Sequence, residues 1–179
     1  FLERDAKSGE ITRVDVDAIL AHPRFGKALE RSLSGWEGRS APAWTATRGD
    51  GTVLGSEAFA GKPHLVYFWF SGCPPCVGTS PLLAELQKRL GPRGFEIVAV
   101  NADGVLEVSV SAAERAAYAR RHGWPFPVVE ASPATLAAFG SIDVFPTFFF
   151  VDRKGVVVRQ LVNFHELDAL EAAARRALE

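Results

Sequence analysis

His64-Leu-Val-Tyr-Phe-Trp-Phe70, followed at once by Ser71-Gly-Cys-Pro-Pro-Cys76, is the stretch whose reading decides how this chain folds. Its first half is a continuous apolar run, the pattern of a central strand covered on both faces. Both cysteines of the chain, Cys73 and Cys76, sit where that strand gives way to a helix. A helix beginning at Pro74 would stabilise a thiolate at Cys73 through its free backbone N–H groups and its dipole. Pro74 has no N–H of its own, so donation to that sulfur falls to later amides, that of Cys76 included. Cys76 lies one turn in, within reach of a mixed disulfide formed at Cys73. Two thiols so placed are suited to reversible disulfide exchange.

The rest of the composition narrows the choices. At 179 residues the chain can bury one full core with a short appendage. A formal net charge of −1 gives no reason to expect nucleic acid or an anionic membrane as partner. The longest apolar runs, Leu65–Phe70 and Phe145–Val151, fall well short of the roughly 18–20 residues that cross a bilayer. The chain contains no Met, so Phe1 is not expected to be the translated start. A signal peptide, a membrane anchor or an upstream domain is expected ahead of it. One CxxC with no other cysteine excludes a structural disulfide framework and a four-cysteine zinc site.

Working outward, residues 1–13 are polar and carry no periodic pattern. From Asp15 to Leu33, apolar residues recur at near-helical spacing, and Pro23 should divide that stretch into two short helices. Residues 1–40 are therefore read as a helical appendage, and 41–179 as the main domain. Pro42–Gly55 reads as a small hairpin turning at Arg48-Gly-Asp-Gly51. Pro74–Leu90 reads as a helix with Leu82, Leu83, Leu86 and Leu90 on one face and a kink expected at Pro81. Phe95–Asn101 is the next strand, giving strand–helix–strand with parallel pairing. Ser111–His122 is a helix opened by a Ser111/Glu114 capping box, and Ser132–Phe139 a short one begun by Pro133. Thr147–Asp152 and Val156–Val162 form a hairpin about Asp152-Arg-Lys-Gly155. His165–Leu178 closes the chain as a helix. The sum is an α/β domain, a mixed central sheet with helices on both faces.

Phe68-Trp-Phe-Ser-Gly-Cys-Pro-Pro-Cys76 resembles the active-site segment of the thioredoxin superfamily. With its Pro-Pro pair and preceding hairpin it looks most like the TlpA/ResA branch of extracytoplasmic thiol–disulfide oxidoreductases. Val144-Phe-Pro-Thr-Phe-Phe-Phe-Val-Asp152 is similar to that family's cis-proline strand. The resemblance runs from about Pro42 to the C-terminus and accounts for the sequence inserted between Asn101 and Pro146. It implies a thioredoxin fold with an N-terminal hairpin extension and an insertion before the cis-proline strand. It makes Cys73 the exposed attacking cysteine and Cys76 the resolving one. Pro146 would follow a cis bond and turn the backbone of Phe145 toward an extended substrate peptide. Gly72, Pro74 and Pro75 would line the mouth, with Trp69 packed beneath and Tyr67 supporting. No cofactor beyond the Cys73–Cys76 disulfide and no metal is implied. Protein thiols and disulfides would be the clients, such as apocytochrome c or copper-site thiols. A membrane thiol transporter would supply the electrons. The place would be the periplasm or the outer face of a membrane.

The chain also departs from the family pattern. Tyr67 stands where thioredoxins carry a buried Asp, and Thr79 where ResA-like proteins often carry a Glu. Neither can relay a proton to Cys76 as a carboxylate, so water or another acid would have to assist. Gly72 replaces the usual Trp before the first cysteine, which should open the site. Two other chemistries use this fold. Copper delivery of the Sco type would add a distant His to the thiols, with His165 a candidate by position alone. A peroxidase would need Thr or Ser three residues before its cysteine, and Phe70 stands there. A third alternative is a partner-docking module using the front helices and Phe145, with redox activity secondary.

Overall fold

A computed structural model of the chain describes residues 2–4, 11–14 and 35–179. Near the start, β1 (Leu2–Arg4) and β2 (Ile11–Val14) pair antiparallel. They fall in a stretch of sequence that carries no periodic apolar pattern. The helices expected between Asp15 and Leu33 lie outside the described residues.

The main body follows as β3 (Thr45–Arg48), β4 (Val53–Gly55), β5 (His64–Trp69), α1 (Pro74–Leu90), β6 (Glu96–Asn101), α2 (Ala112–Arg121), β7 (Val128–Glu130), α3 (Pro133–Ala138), β8 (Thr147–Val151), β9 (Val157–Val162) and α4 (Leu167–Leu178). Its strands form one seven-stranded mixed sheet in the order β4-β3-β7-β6-β5-β8-β9. β5 lies near the middle, parallel to β6 and antiparallel to β8. Trp36–Ala41 already belong to this body. Trp36 packs on Phe149 with ring centroids 5.8 Å apart, and Ala41 N–H donates to Gly155 O at 2.7 Å.

Local chemistry sets the element ends. Asp50 turns the β3–β4 hairpin by accepting from Thr52 N–H at 2.9 Å and Thr52 Oγ1 at 2.6 Å. Ser111 and Glu114 cap α2 reciprocally, as the sequence predicts, and Ser132 with Thr135 does the same for α3. Pro81 does not interrupt α1, which runs as one element to Leu90.

Every residue of β5 is buried, and its alternation divides the core in two. Leu65, Tyr67 and Trp69 face a layer built with Leu83, Leu86 and Leu90 of α1, Ala119 of α2 and Leu170 and Ala174 of α4. Val66 and Phe68 face the opposite layer with Phe149, Val157, and Leu136 and Phe139 at α3. Continuous apolarity in β5 is thus the signature of a strand with helices above and below.

His64 opens β5 at the end of the sheet away from the cysteines. It stacks on Phe59 at 5.0 Å, and its Nδ1–H donates to Lys62 O at 2.8 Å. Burial pulls its pKa below the ordinary 6.5, against the smaller opposing pull of the Lys62 carbonyl. The folded protein therefore holds this ring neutral, while the unfolded chain protonates it below 6.5. Its contribution to stability is complete above that value and declines as pH falls toward the depressed folded pKa. Urea unfolding at about pH 7 and about pH 5.5 should show an acid-side loss in the wild type that is smaller in His64→Gln. Equal losses would exclude His64 as the source.

Candidate active site

The site is assembled by chain direction. In a parallel β5–α1–β6 unit the carboxyl ends of both strands and the amino end of the helix share one edge of the sheet. The β5–α1 turn, Phe70–Cys73, stands on that edge. So does the start of β8, because β8 runs antiparallel to β5 with Thr147 opposite Phe68. The Pro146 loop is thereby brought beside the turn, and the rings of Phe145 and Phe70 meet edge to face at 5.4 Å.

Cys73 and Cys76 are joined as a disulfide, with Cα atoms 5.2 Å apart. Cys73 is the N-cap of α1 and Pro74 its first residue. The Cys76 N–H donates to Cys73 Sγ at 3.3 Å, the amide that the missing N–H of Pro74 leaves to the task. One expectation is corrected here. Cys73 is not exposed: it shows 2% of its surface, and Cys76 shows 1%. With the bond formed, both cysteines lie in the same apolar layer as Trp69, and Phe70 and Phe145 pack against that layer. Pro74 and Gly72 carry the exposure at the mouth, while Pro75 is half-buried.

The Phe145–Pro146 bond is cis. Pro146 is buried and Phe145 half-buried. The loop is pinned on both sides, since Asn163 N–H donates to Pro146 O at 2.7 Å and Thr147 Oγ1 donates to Val144 O at 2.7 Å. Trp69 is fully buried, stacked on Tyr118 at 5.2 Å and edge to face with Trp124 at the same distance. Tyr67 lies in the same layer, stacked on Phe148 at 5.2 Å. Burial, with Tyr118 nearby, pushes its pKa well above the ordinary phenol value, so the ring stays neutral. Thr79 is buried with its hydroxyl donating to Pro75 O at 2.8 Å. No carboxylate occupies either of these two positions.

Several neighbours of the site escaped the reading of motifs. Ser80 Oγ donates to Cys76 O at 2.9 Å and meets Tyr118 Oη at 2.6 Å, while Trp124 Nε1 donates to Ser80 O at 2.9 Å. Asp103, fully buried, accepts from both Ser71 N and Ser71 Oγ at 2.7 Å. The available signal was topological: Ser71 and Asp103 follow neighbouring parallel strands at their carboxyl ends. His165 gives Nε2 to Val162 O at 3.1 Å. Among the described residues no group of three or more His, Cys, Asp or Glu side chains converges, so the copper alternative gains no donor set there.

A dithiol at the mouth of a helix, faced by a cis-proline loop on the edge of a mixed sheet, is the working arrangement of thiol–disulfide oxidoreductases on the thioredoxin fold. The chain belongs to the Redoxin family, whose profile matches residues 37–173. Its relatives include the thiol–disulfide oxidoreductase ResA of Geobacillus thermodenitrificans, 31% identical over 141 residues covering 78% of this chain and 77% of that one. ResA of Bacillus anthracis is 26% identical over 140 residues, with the same two coverages of 78% and 77%. Among solved structures, a putative thiol:disulfide interchange protein DsbE from Chlorobium tepidum superposes with a TM-score of 0.68 at 28% identity, covering 80% of this chain and 98% of that one. The protein is a ResA-like thiol–disulfide oxidoreductase of the thioredoxin superfamily.

Gly72 sets the approach to Cys73 with φ +80° and has open space where a side chain would stand. Gly72→Ala should cost about 1–2 kcal/mol, from the backbone alone. Guanidinium unfolding of the oxidised protein measures it, and an unchanged midpoint at constant slope would show that the turn relaxes freely.

Proposed function

We propose that this protein reduces disulfides of other proteins on the extracytoplasmic side of a membrane, with Cys73 attacking and Cys76 resolving. The observation that carries the assignment is the hydrogen bond from Cys76 N–H to Cys73 Sγ at the N-cap of α1. Only Cys73 has its sulfur aimed at the open amide of a helix start, that of Cys76, where negative charge is stabilised. In the reduced protein the Cys73 thiolate attacks one sulfur of a client disulfide. A Cys73–client bond forms, the client bond breaks, and the departing client thiolate takes up a proton. Cys76, losing its proton, then attacks Cys73 Sγ, forming the intramolecular disulfide and releasing the second client thiol. The client gains two electrons and two protons, and the protein is left oxidised.

Pro146 and Phe145 would hold the client chain against the reacting sulfur, and Gly72, Pro74 and Pro75 would shape the opening. Trp69 and Tyr67 would support the pair from below. The chemistry needs no cofactor beyond the two sulfurs. Re-reduction needs a dithiol donor, for which a membrane thiol transporter is the natural class. The resemblance of the two motifs to the TlpA/ResA branch favours an extracytoplasmic place and clients such as apocytochrome c thiols. Among the described residues no helix is long and apolar enough to cross a membrane.

Cys76→Ser should accumulate mixed disulfides with client proteins through Cys73, seen as reducible high-mass species on non-reducing gels of an extracytoplasmic extract. Cys73→Ser should accumulate far fewer. Equal trapping by both variants, or none by Cys76→Ser, would defeat the assignment of the attacking sulfur.

A further inference from the structure

The turn that presents Cys73 is gripped from the far side by a buried charge network. Asp103 lies just past β6 and shows none of its surface to solvent. Its two carboxylate oxygens take the two donors of Ser71, one from the backbone and one from the hydroxyl, each at 2.7 Å. Asp103 is itself fixed, because its N–H donates to Asn101 Oδ1 at 3.0 Å and its carbonyl accepts from Val108 N–H at 2.9 Å. The facing charge is Arg115 of α2, whose Nη1 lies 3.7 Å from Asp103 Oδ2. Arg115 also donates to Val110 O and to Glu130 Oε2, each at 2.6 Å. A buried carboxylate without such partners would be costly, so the network is either complete or destabilising. Here both Asp103 oxygens are taken by hydrogen bonds from one residue, Ser71, two positions before Cys73.

The same helix holds the site at a second point. Tyr118, one turn beyond Arg115 and on the same face, stacks on Trp69 at 5.2 Å and bonds Ser80, whose hydroxyl reaches Cys76 O. The insertion between β6 and β7 therefore touches the turn before Cys73 and the helix turn after Cys76. Gly72, with its positive φ, lies between Ser71 and Cys73 as the most permissive joint in the turn. Without a clamp at Ser71, that joint would leave the Cys73 sulfur free to wander from the amides at the start of α1.

We propose that Asp103, held by Arg115, is a positioning residue for Cys73: by clamping Ser71 it fixes the attacking sulfur at the N-terminus of α1. The inference rests on the reading of Cys73 as the attacking cysteine. Loss of the Ser71 hydroxyl leaves the Asp103 charge in place, less compensated, and loosens the turn. Both effects disfavour a thiolate at Cys73, so they act with the same sign.

The test uses the reduced full chain and follows alkylation by iodoacetamide against pH, with the modified cysteine identified by mass spectrometry. Ser71→Ala should raise the alkylation midpoint of Cys73 by about half to one pH unit, a roughly three- to tenfold slower reaction near neutrality. Ser71→Thr, which keeps the hydroxyl, should restore the wild-type profile. Asp103→Ala loosens the turn as well but also removes the negative charge, so its shift should be smaller than that of Ser71→Ala, and adding Ser71→Ala to it should change little more, as expected for two residues acting through one contact. A wild-type profile in Ser71→Ala, or a Ser71→Thr variant as impaired as Ser71→Ala, overturns the proposal. If Asp103→Ala does not fold, the two Ser71 variants still decide. Wild-type protein alkylated first at Cys76 would overturn the assigned roles of the cysteines and this inference with them. Alkylation at Cys73 with unmoved variants overturns the inference alone.

Discussion

The hydrogen bond from the Cys76 amide to Cys73 Sγ ties the chemistry of this protein to its fold, because it exists only where a helix begins. A helix start leaves its first N–H groups without intrahelical partners, and Pro74 and Pro75 remove two of them from the count. The bond therefore requires that α1 begin just after Cys73, that β5 end just before the turn, and that the turn between them be short. Burial of β5 on both faces is what anchors those limits, since neither end of a strand fixed by Trp69 and Leu65 can slide without flipping its side chains between layers. The site is in this sense an edge property of the sheet.

Much of this was legible in the residues. The apolar run His64–Phe70, the caps at Ser111 and Ser132, and the turns at Arg48–Gly51 and Asp152–Gly155 are local signals, and each produced the element it implied. The cis-proline position and the CxxC were readable as motifs because each is contiguous. What stayed hidden was pairwise and distant: Asp103 with Ser71, Ser80 with Tyr118, Trp69 between Tyr118 and Trp124. A polar residue after a strand reads as an ordinary loop residue until the parallel pairing of β5 with β6 places it beside the other strand's end. The burial of Cys73 was missed for a different reason. A motif specifies the order of atoms along the chain, while exposure depends on what packs over them, here an apolar layer with Phe70 and Phe145 against it. The pairing of β1 with β2 carried no side-chain period to read.

The insertion between β6 and β7 has a structural logic of its own. Its helix α2 contributes only Arg115 and Ala119 as buried residues, too few to explain its presence by core volume. Its aromatic neighbours, Tyr118 and Trp124, instead bracket Trp69, the last residue of β5. Aromatic stacking and a charge network, two interactions of different distance dependence, thus converge on the same few residues around the dithiol.

The pinning of the Pro146 loop bears on how discriminating the enzyme can be. The carbonyls of Val144 and Pro146 are already occupied, by Thr147 Oγ1 and Asn163 N–H. Of these three residues, only Phe145 has neither its amide nor its carbonyl in a hydrogen bond among the described residues. Under the proposed function, a docking chain finds a single rung of ladder rather than a full strand edge. One rung can orient a polypeptide but scarcely read its order of residues, so this geometry favours a generalist whose choice among clients is made by which disulfides are accessible.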